Sequence, residues 1–181
     1  MESFVEFPNL GLKFEVSDIL FQFDLFGATF TIRWYGVLIA LGFLLAILYG
    51  MKRAKYFDID PDRMFDVIIV SAIFAFIGAR LYYVLFSSAS ERAAFFDDPI
   101  SILKIWEGGL GIYGGIIMAF ITALWMCRVR KVNTLAMFDV AGLGFLIGQC
   151  IGRWGNFFNQ EAFGGNTDLP WGMTGNLIQQ G

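Results

Sequence analysis

Long apolar runs separated by short polar segments set the pattern of this chain. Four of them, 34–51, 67–86, 108–127 and 140–158, reach or approach the ~20 residues that a helix needs to cross a hydrocarbon layer of about 30 Å. The first and third carry no charge and the second carries only Arg80. The fourth is the weakest, being rich in glycine and interrupted by Gln149 and Arg153. Ahead of them, Phe21, Phe23 and Leu25 alternate with Gln22 and Asp24, the period of an interfacial strand or amphipathic turn. The pattern predicts an all-α polytopic membrane protein of about four transmembrane helices with small interfacial elements.

Composition points the same way, because a chain that is 57% hydrophobic and 16% charged lies outside the range of soluble domains. A net charge of −3 offers nucleic acid no basic face. Histidine is absent, which removes the commonest general base and metal ligand, and neither a metal site nor a cofactor is expected. Gly109, Gly111 and Gly114 have the dinucleotide-binding spacing, but they open an expected span with no strand ahead of it, so the match carries no weight. Cys127 and Cys150 fall in or beside spans and read as small apolar fillers rather than a disulfide. No repeat or linker divides the chain, and a single membrane domain, 1–181, is the simplest reading. No Lys or Arg precedes Lys13 and the first apolar run starts after residue 33, which argues against a cleaved secretory signal.

Basic residues set an orientation. Segment 51–63 holds Lys52, Arg53, Lys55 and Arg63, and segment 128–137 holds Arg128, Arg130 and Lys131. Segment 87–107 offsets Arg92 and Lys104 with Glu91, Asp97, Asp98 and Glu107, and nothing after residue 158 is basic. By the positive-inside rule, the N-terminus, 87–107 and the tail are outside, and the two basic segments are inside.

That topology, with a rise of about 1.5 Å per helical residue, puts Arg33, Tyr35, Arg80, Tyr113, Arg153 and Asn156 at similar depth near the outer face. An arginine at membrane depth is costly and normally has a partner or a task. Its planar fork suits phosphate, and phospholipid head groups are the phosphates at hand. The competing reading is that Arg33 and Arg80 snorkel to the interface and pair with acids such as Glu107. Arg153, flanked by Asn156, Asn159 and Glu161, fits that reading least. Most glycines of the third and fourth spans read as close helix packing, and Tyr82, Tyr83, Trp125 and Trp171 as bulk and interfacial anchors.

Residues 152–164 fit the pattern G-R-x-G-N-F-x-N-x-E-x-x-G at all eight fixed positions, from Gly152 and Arg153 through Asn156, Asn159 and Glu161 to Gly164. Arg33-Trp34-Tyr35-Gly36, the segment from Gly78 and Arg80 to Phe86, and the segment from Trp106 and Glu107 to Tyr113 and Gly115 add to it. Together they resemble bacterial prolipoprotein diacylglyceryl transferases over nearly the whole chain from about residue 30. The resemblance implies a multi-span plasma-membrane enzyme whose site opens to the outer face. It would move the diacylglyceryl group of phosphatidylglycerol to the lipobox cysteine of a prolipoprotein signal peptide, releasing glycerol phosphate. In two respects the sequence departs from the family. Tyr113 stands where many members have histidine, and the chain stops before a further H-P-[ST]-x-L-Y-E-like element, as a fragment or a truncated form would.

The implied reaction needs a thiolate, and a free thiol with a pKa of about 8.5 is little ionised at neutral pH. Arg153 is expected to clamp the departing phosphate, with Arg80 assisting. Tyr35, Asn156, Asn159 and Gly164 are expected to contact substrate. The base is open between Tyr113, whose phenol class ionises near pH 10, Glu161, and no side chain at all. The alternatives are a truncated, inactive relative and a small polytopic lipid-binding or transport protein, which a broken fourth span would suit.

Overall fold

The computed structural model describes residues 4–25, 28–104, 108–175 and 178. In chain order the elements are β1 (Phe4–Phe7), β2 (Leu12–Glu15), β3 (Ile19–Leu25), β4 (Ala28–Arg33), α1 (Trp34–Arg53), α2 (Pro61–Phe86), α3 (Ala89–Asp97), α4 (Ile112–Arg130), α5 (Thr134–Asn159) and β5 (Thr174–Gly175). Helices α2, α4 and α5, and α1 with the turn after it, are long and apolar enough to cross a membrane, as the hydrophobic pattern predicts. The chain separates into two compact units, Met1–Leu48 with Leu143–Gly181, and Tyr49–Gly142.

In the first unit β1 pairs antiparallel with β2 and with β5, giving the order β2-β1-β5. The expected interfacial strand is β3, paired antiparallel with β4. One face of this hairpin stacks Phe21 on Phe23 and Phe23 on Phe30, with centroids 5.7 and 5.5 Å apart. The other face is polar and internally satisfied: Gln22 donates to Thr31, and the Thr29 hydroxyl donates to Asp24. The Trp34 N–H donates to the Asp18 carbonyl at 2.9 Å and Arg33 pairs with Asp18, so the hairpin is tied to the start of α1.

Within the same unit α1 and α5 pack through small residues. A Cβ on Gly42 would touch Ile151 at 3.4 Å and one on Gly144 would touch Ala46 at 3.4 Å, the close backbone approach that glycine permits. Trp34 stacks on Phe158 at 5.0 Å where the start of α1 meets the end of α5. Helix α5 is continuous through Gln149 and Arg153, not broken as the transport alternative would favour. It starts six residues before the apolar run, where the Asn133 side chain accepts from the Leu135 and Ala136 N–H groups and so caps the first turn.

The second unit is held by α2 against α4. Gly78 and Gly114 face one another so closely that a Cβ on Gly78 would overlap Met118 and come within 2.7 Å of the Gly114 carbonyl. Below that crossing, Ala54, Ile59, Met64, Val67, Met126, Cys127, Met137 and Val140 form an apolar core. Asp60 caps α2 through the Asp62 and Arg63 N–H groups, and Arg130 pairs with Asp66. Helix α4 begins four residues later than expected. Gly108 and Gly109 have φ of +94° and +76°, a left-handed conformation that cannot join a right-handed helix.

Candidate active site

Helix α5 delivers the signature residues to one place. Arg153 and Asn156, three apart, share a face of α5, and Gln160 follows directly after its last residue. With Phe157, Glu161, Ala162, Phe163, Met173 and Ile178 they line a cavity of about 150 Å³. The chain turns sharply there: Gln160 and Ala162 take φ of +52° and +53°, and the Glu161 N–H donates to the Asn156 carbonyl at 3.0 Å. Asp58 and Lys131 end their helices in the same left-handed conformation, so at Gln160 it serves to terminate α5.

The expected residues of this unit come together in part. Arg153 and Glu161 are both exposed toward the cavity, and no hydrogen bond or ion pair among the described residues engages the Arg153 guanidinium. Asn159 donates to Glu161 at 3.2 Å, which orients that carboxylate from the side. Tyr35 packs on Gly155, where a Cβ would meet its ring at 2.7 Å, so this glycine seats the tyrosine beside the signature helix. Gly164 is exposed, with open space around it.

Sequence reasoning missed Gln160. It is 4% exposed, and its side-chain amide donates to the Phe4 carbonyl at 3.1 Å, tying β1 to the end of α5 beneath the cavity. The only signal was a polar residue inside the signature, at a position the pattern leaves free. The apolar wall of Met173 and Ile178 had none.

In the other unit, Tyr113 stands in the first turn of α4, 66% exposed, with its ring 6.2 Å from that of Tyr82. Arg80 is buried, at 8% exposure. Its guanidinium donates to four backbone carbonyls: Nε to Ile102, Nη1 to Gly108 and Gly109, and Nη2 to Ser101, at 2.7 to 2.8 Å. Trp106 and Glu107, the latter an expected partner of Arg80, lie outside the described residues. Arg33, read as a snorkelling residue, has Asp18 as its acid. Glu91, in the segment between α2 and α4, is held below the usual carboxylate range by the hydroxyl of Ser88, then by the Tyr83 hydroxyl and the Ser88 N–H.

Comparison with known proteins follows the same residues. Residues 21–181 match the family described as Prolipoprotein diacylglyceryl transferase. The chain belongs to that family. It is 48% identical over 143 residues to the phosphatidylglycerol–prolipoprotein diacylglyceryl transferase of Clostridium novyi (strain NT), covering 79% of this chain and 53% of the relative. It is 47% identical over 137 residues to a protein of Clostridium perfringens (strain 13 / Type A) with that name and the numeral 1, covering 76% and 50%. With the transferase of Staphylococcus haemolyticus (strain JCSC1435) it shares 41% over 135 residues, covering 75% and 46%. The chain thus spans about half the length of these diacylglyceryl transferase relatives.

Proposed function

We propose that this chain is the signature-bearing part of an enzyme that moves the diacylglyceryl group of phosphatidylglycerol onto the lipobox cysteine of prolipoproteins. A single observation carries the reading: the exposed guanidinium of Arg153 and the polar groups of Asn156 and Glu161 line one cavity at the end of a membrane-length helix. The cysteine sulfur attacks the glyceride carbon that bears the phosphate ester. A C–S bond forms, the C–O bond breaks, and the electron pair leaves with glycerol phosphate. Arg153 meets the charge that grows on that phosphate, and a fixed cation in a water-poor site stabilises it by several kcal/mol. Asn156 and Asn159 hold the glycerol and phosphate oxygens, with Gly164 leaving the backbone open to the head group and Tyr35 lying alongside. The thiol proton goes to Glu161 or Tyr113, or is released by the positive field alone. The chain acts as one membrane domain of a bacterial plasma membrane, N-terminus outside, with the cavity toward the outer face.

The test is Arg153→Ala in a full-length protein containing this chain. We expect the variant to insert in membranes normally and to lose phosphatidylglycerol-dependent labelling of a lipobox peptide. Undiminished labelling would remove Arg153 from the phosphate.

A further inference from the structure

We propose that Arg80 is a positioning residue: its guanidinium clips the backbone at Ser101, Ile102, Gly108 and Gly109 onto α2 and thereby fixes where the first turn of α4, with Tyr113, is held. The geometry argues against a direct hold on phosphate. A guanidinium has five N–H groups, and four are spent on the carbonyls of Ser101, Ile102, Gly108 and Gly109. The single N–H that remains cannot make the two parallel bonds of an arginine–phosphate fork. The group is also walled in, lying 5.8 Å from the Tyr83 ring and 5.5 Å from the Phe95 ring.

The loop is shaped to receive it. Gly109 sits so close that a Cβ would come within 2.6 Å of both Arg80 Nη1 and Tyr83, and its φ of +76° suits glycine. Immediately after, the Gly111 N–H donates to the Ala79 carbonyl at 2.9 Å, and a Cβ on Gly111 would meet Tyr82 at 2.7 Å. The clip extends to α3, because Tyr83 donates to Glu91 at 2.9 Å while Glu91 accepts from the Ser88 N–H and hydroxyl. Arginine is the side chain for this task. Its planar array can satisfy carbonyls on both sides at once, whereas lysine offers one nitrogen. A buried cation is tolerable only when its N–H groups are so paired.

The kinetic half of the proposal rests on the transferase reading; the structural half does not. The experiment compares Arg80→Lys, Gly109→Ala and the double variant in a full-length protein containing this chain, reconstituted in phosphatidylglycerol nanodiscs. Amide exchange over 99–111 is followed by mass spectrometry, and kcat and KM for phosphatidylglycerol are measured with a lipobox peptide. In Arg80→Lys, exchange should rise about tenfold, while kcat falls about tenfold with KM for the lipid held within about twofold. Gly109→Ala should reproduce both effects, and the double variant should lose little more than the worse single one. Unchanged exchange with a raised lipid KM would make Arg80 a phosphate ligand and overturn the proposal. So would unchanged exchange with unchanged kinetics. If even the unsubstituted protein labels no peptide, the transferase reading fails, and the exchange data alone decide whether Arg80 clips the loop.

Discussion

Two arginines in membrane-length helices carry the same chemistry into different surroundings, and the surroundings assign the work. Arg80 spends its donors on backbone, while Arg153 faces a cavity with Asn156 and Glu161. If the fork of Arg153 matters and not only its charge, Arg153→Lys should retain insertion but lose about tenfold or more in lipid-dependent labelling. A lysine variant as active as the original in the peptide assay would reduce the role to a point charge. At this scale the sequence was informative where the partners are side chains at fixed spacing: Arg153, Asn156 and Glu161 lie on one helix end and were readable together. It singled out Arg80 but not the groups Arg80 bonds, because carbonyls of Ser101, Ile102, Gly108 and Gly109 have no side-chain signature. Gln160 stayed hidden because its partner, the Phe4 carbonyl, lies far away in the chain.

Elements were legible where apolar length decides and obscure where one or two residues do. The four long helices follow from hydrophobic runs, yet the start of α4 depends on the left-handed backbone of Gly108 and Gly109, and the start of α5 on the Asn133 cap. Helix α3 is short and mixed in polarity, so no period announces it. The α2/α4 crossing depends on glycine for a packing reason that can be tested. Gly114→Ala should cost about 2 kcal/mol, as overfilled interiors do, because its Cβ would overlap Tyr82 and the Gly78 carbonyl. Gly142→Ala, with open space around it in α5, should be neutral or slightly stabilising. Thermal inactivation in detergent separates the two, and equal effects would refute the packing argument. The start of α3 has its own dependence on pH. The Glu91 carboxyl is depressed in the folded state by Ser88 and Tyr83, so its stabilisation is present above its unfolded pKa of about 4.3 and fades as pH falls through the lower, folded value. Amide protection in 88–97, taken relative to the intrinsic exchange rate at each pH, should therefore fall on acidification toward that value, and Glu91→Gln should remove this pH dependence.

For the whole molecule, the places where lysines and arginines gather make a prediction about sidedness. The end of α1 with the turn after it and the end of α4 hold Lys52, Arg53, Lys55, Arg128, Arg130 and Lys131, whereas Glu91, Asp97 and Asp98 weight the segment between α2 and α4. The positive-inside rule then predicts the first group in the cytoplasm and the second outside. Because α5 starts directly after the basic end of α4, the same rule predicts its last turn, with Arg153, Asn156 and the cavity, on the outer side. A prolipoprotein whose signal peptide crosses the membrane exposes its cysteine there, so the chemistry proposed for Arg153 requires this sidedness. The check uses single cysteines in a Cys150→Ala background, where Cys127 stays buried. Ser90→Cys should react with an impermeant maleimide in intact cells stripped of their wall. Tyr56→Cys, at a position 78% exposed in the turn after α1, should react only once the membrane is opened. Reaction of Tyr56→Cys in sealed cells would invert the topology and leave the cavity facing the side where no lipobox cysteine is presented.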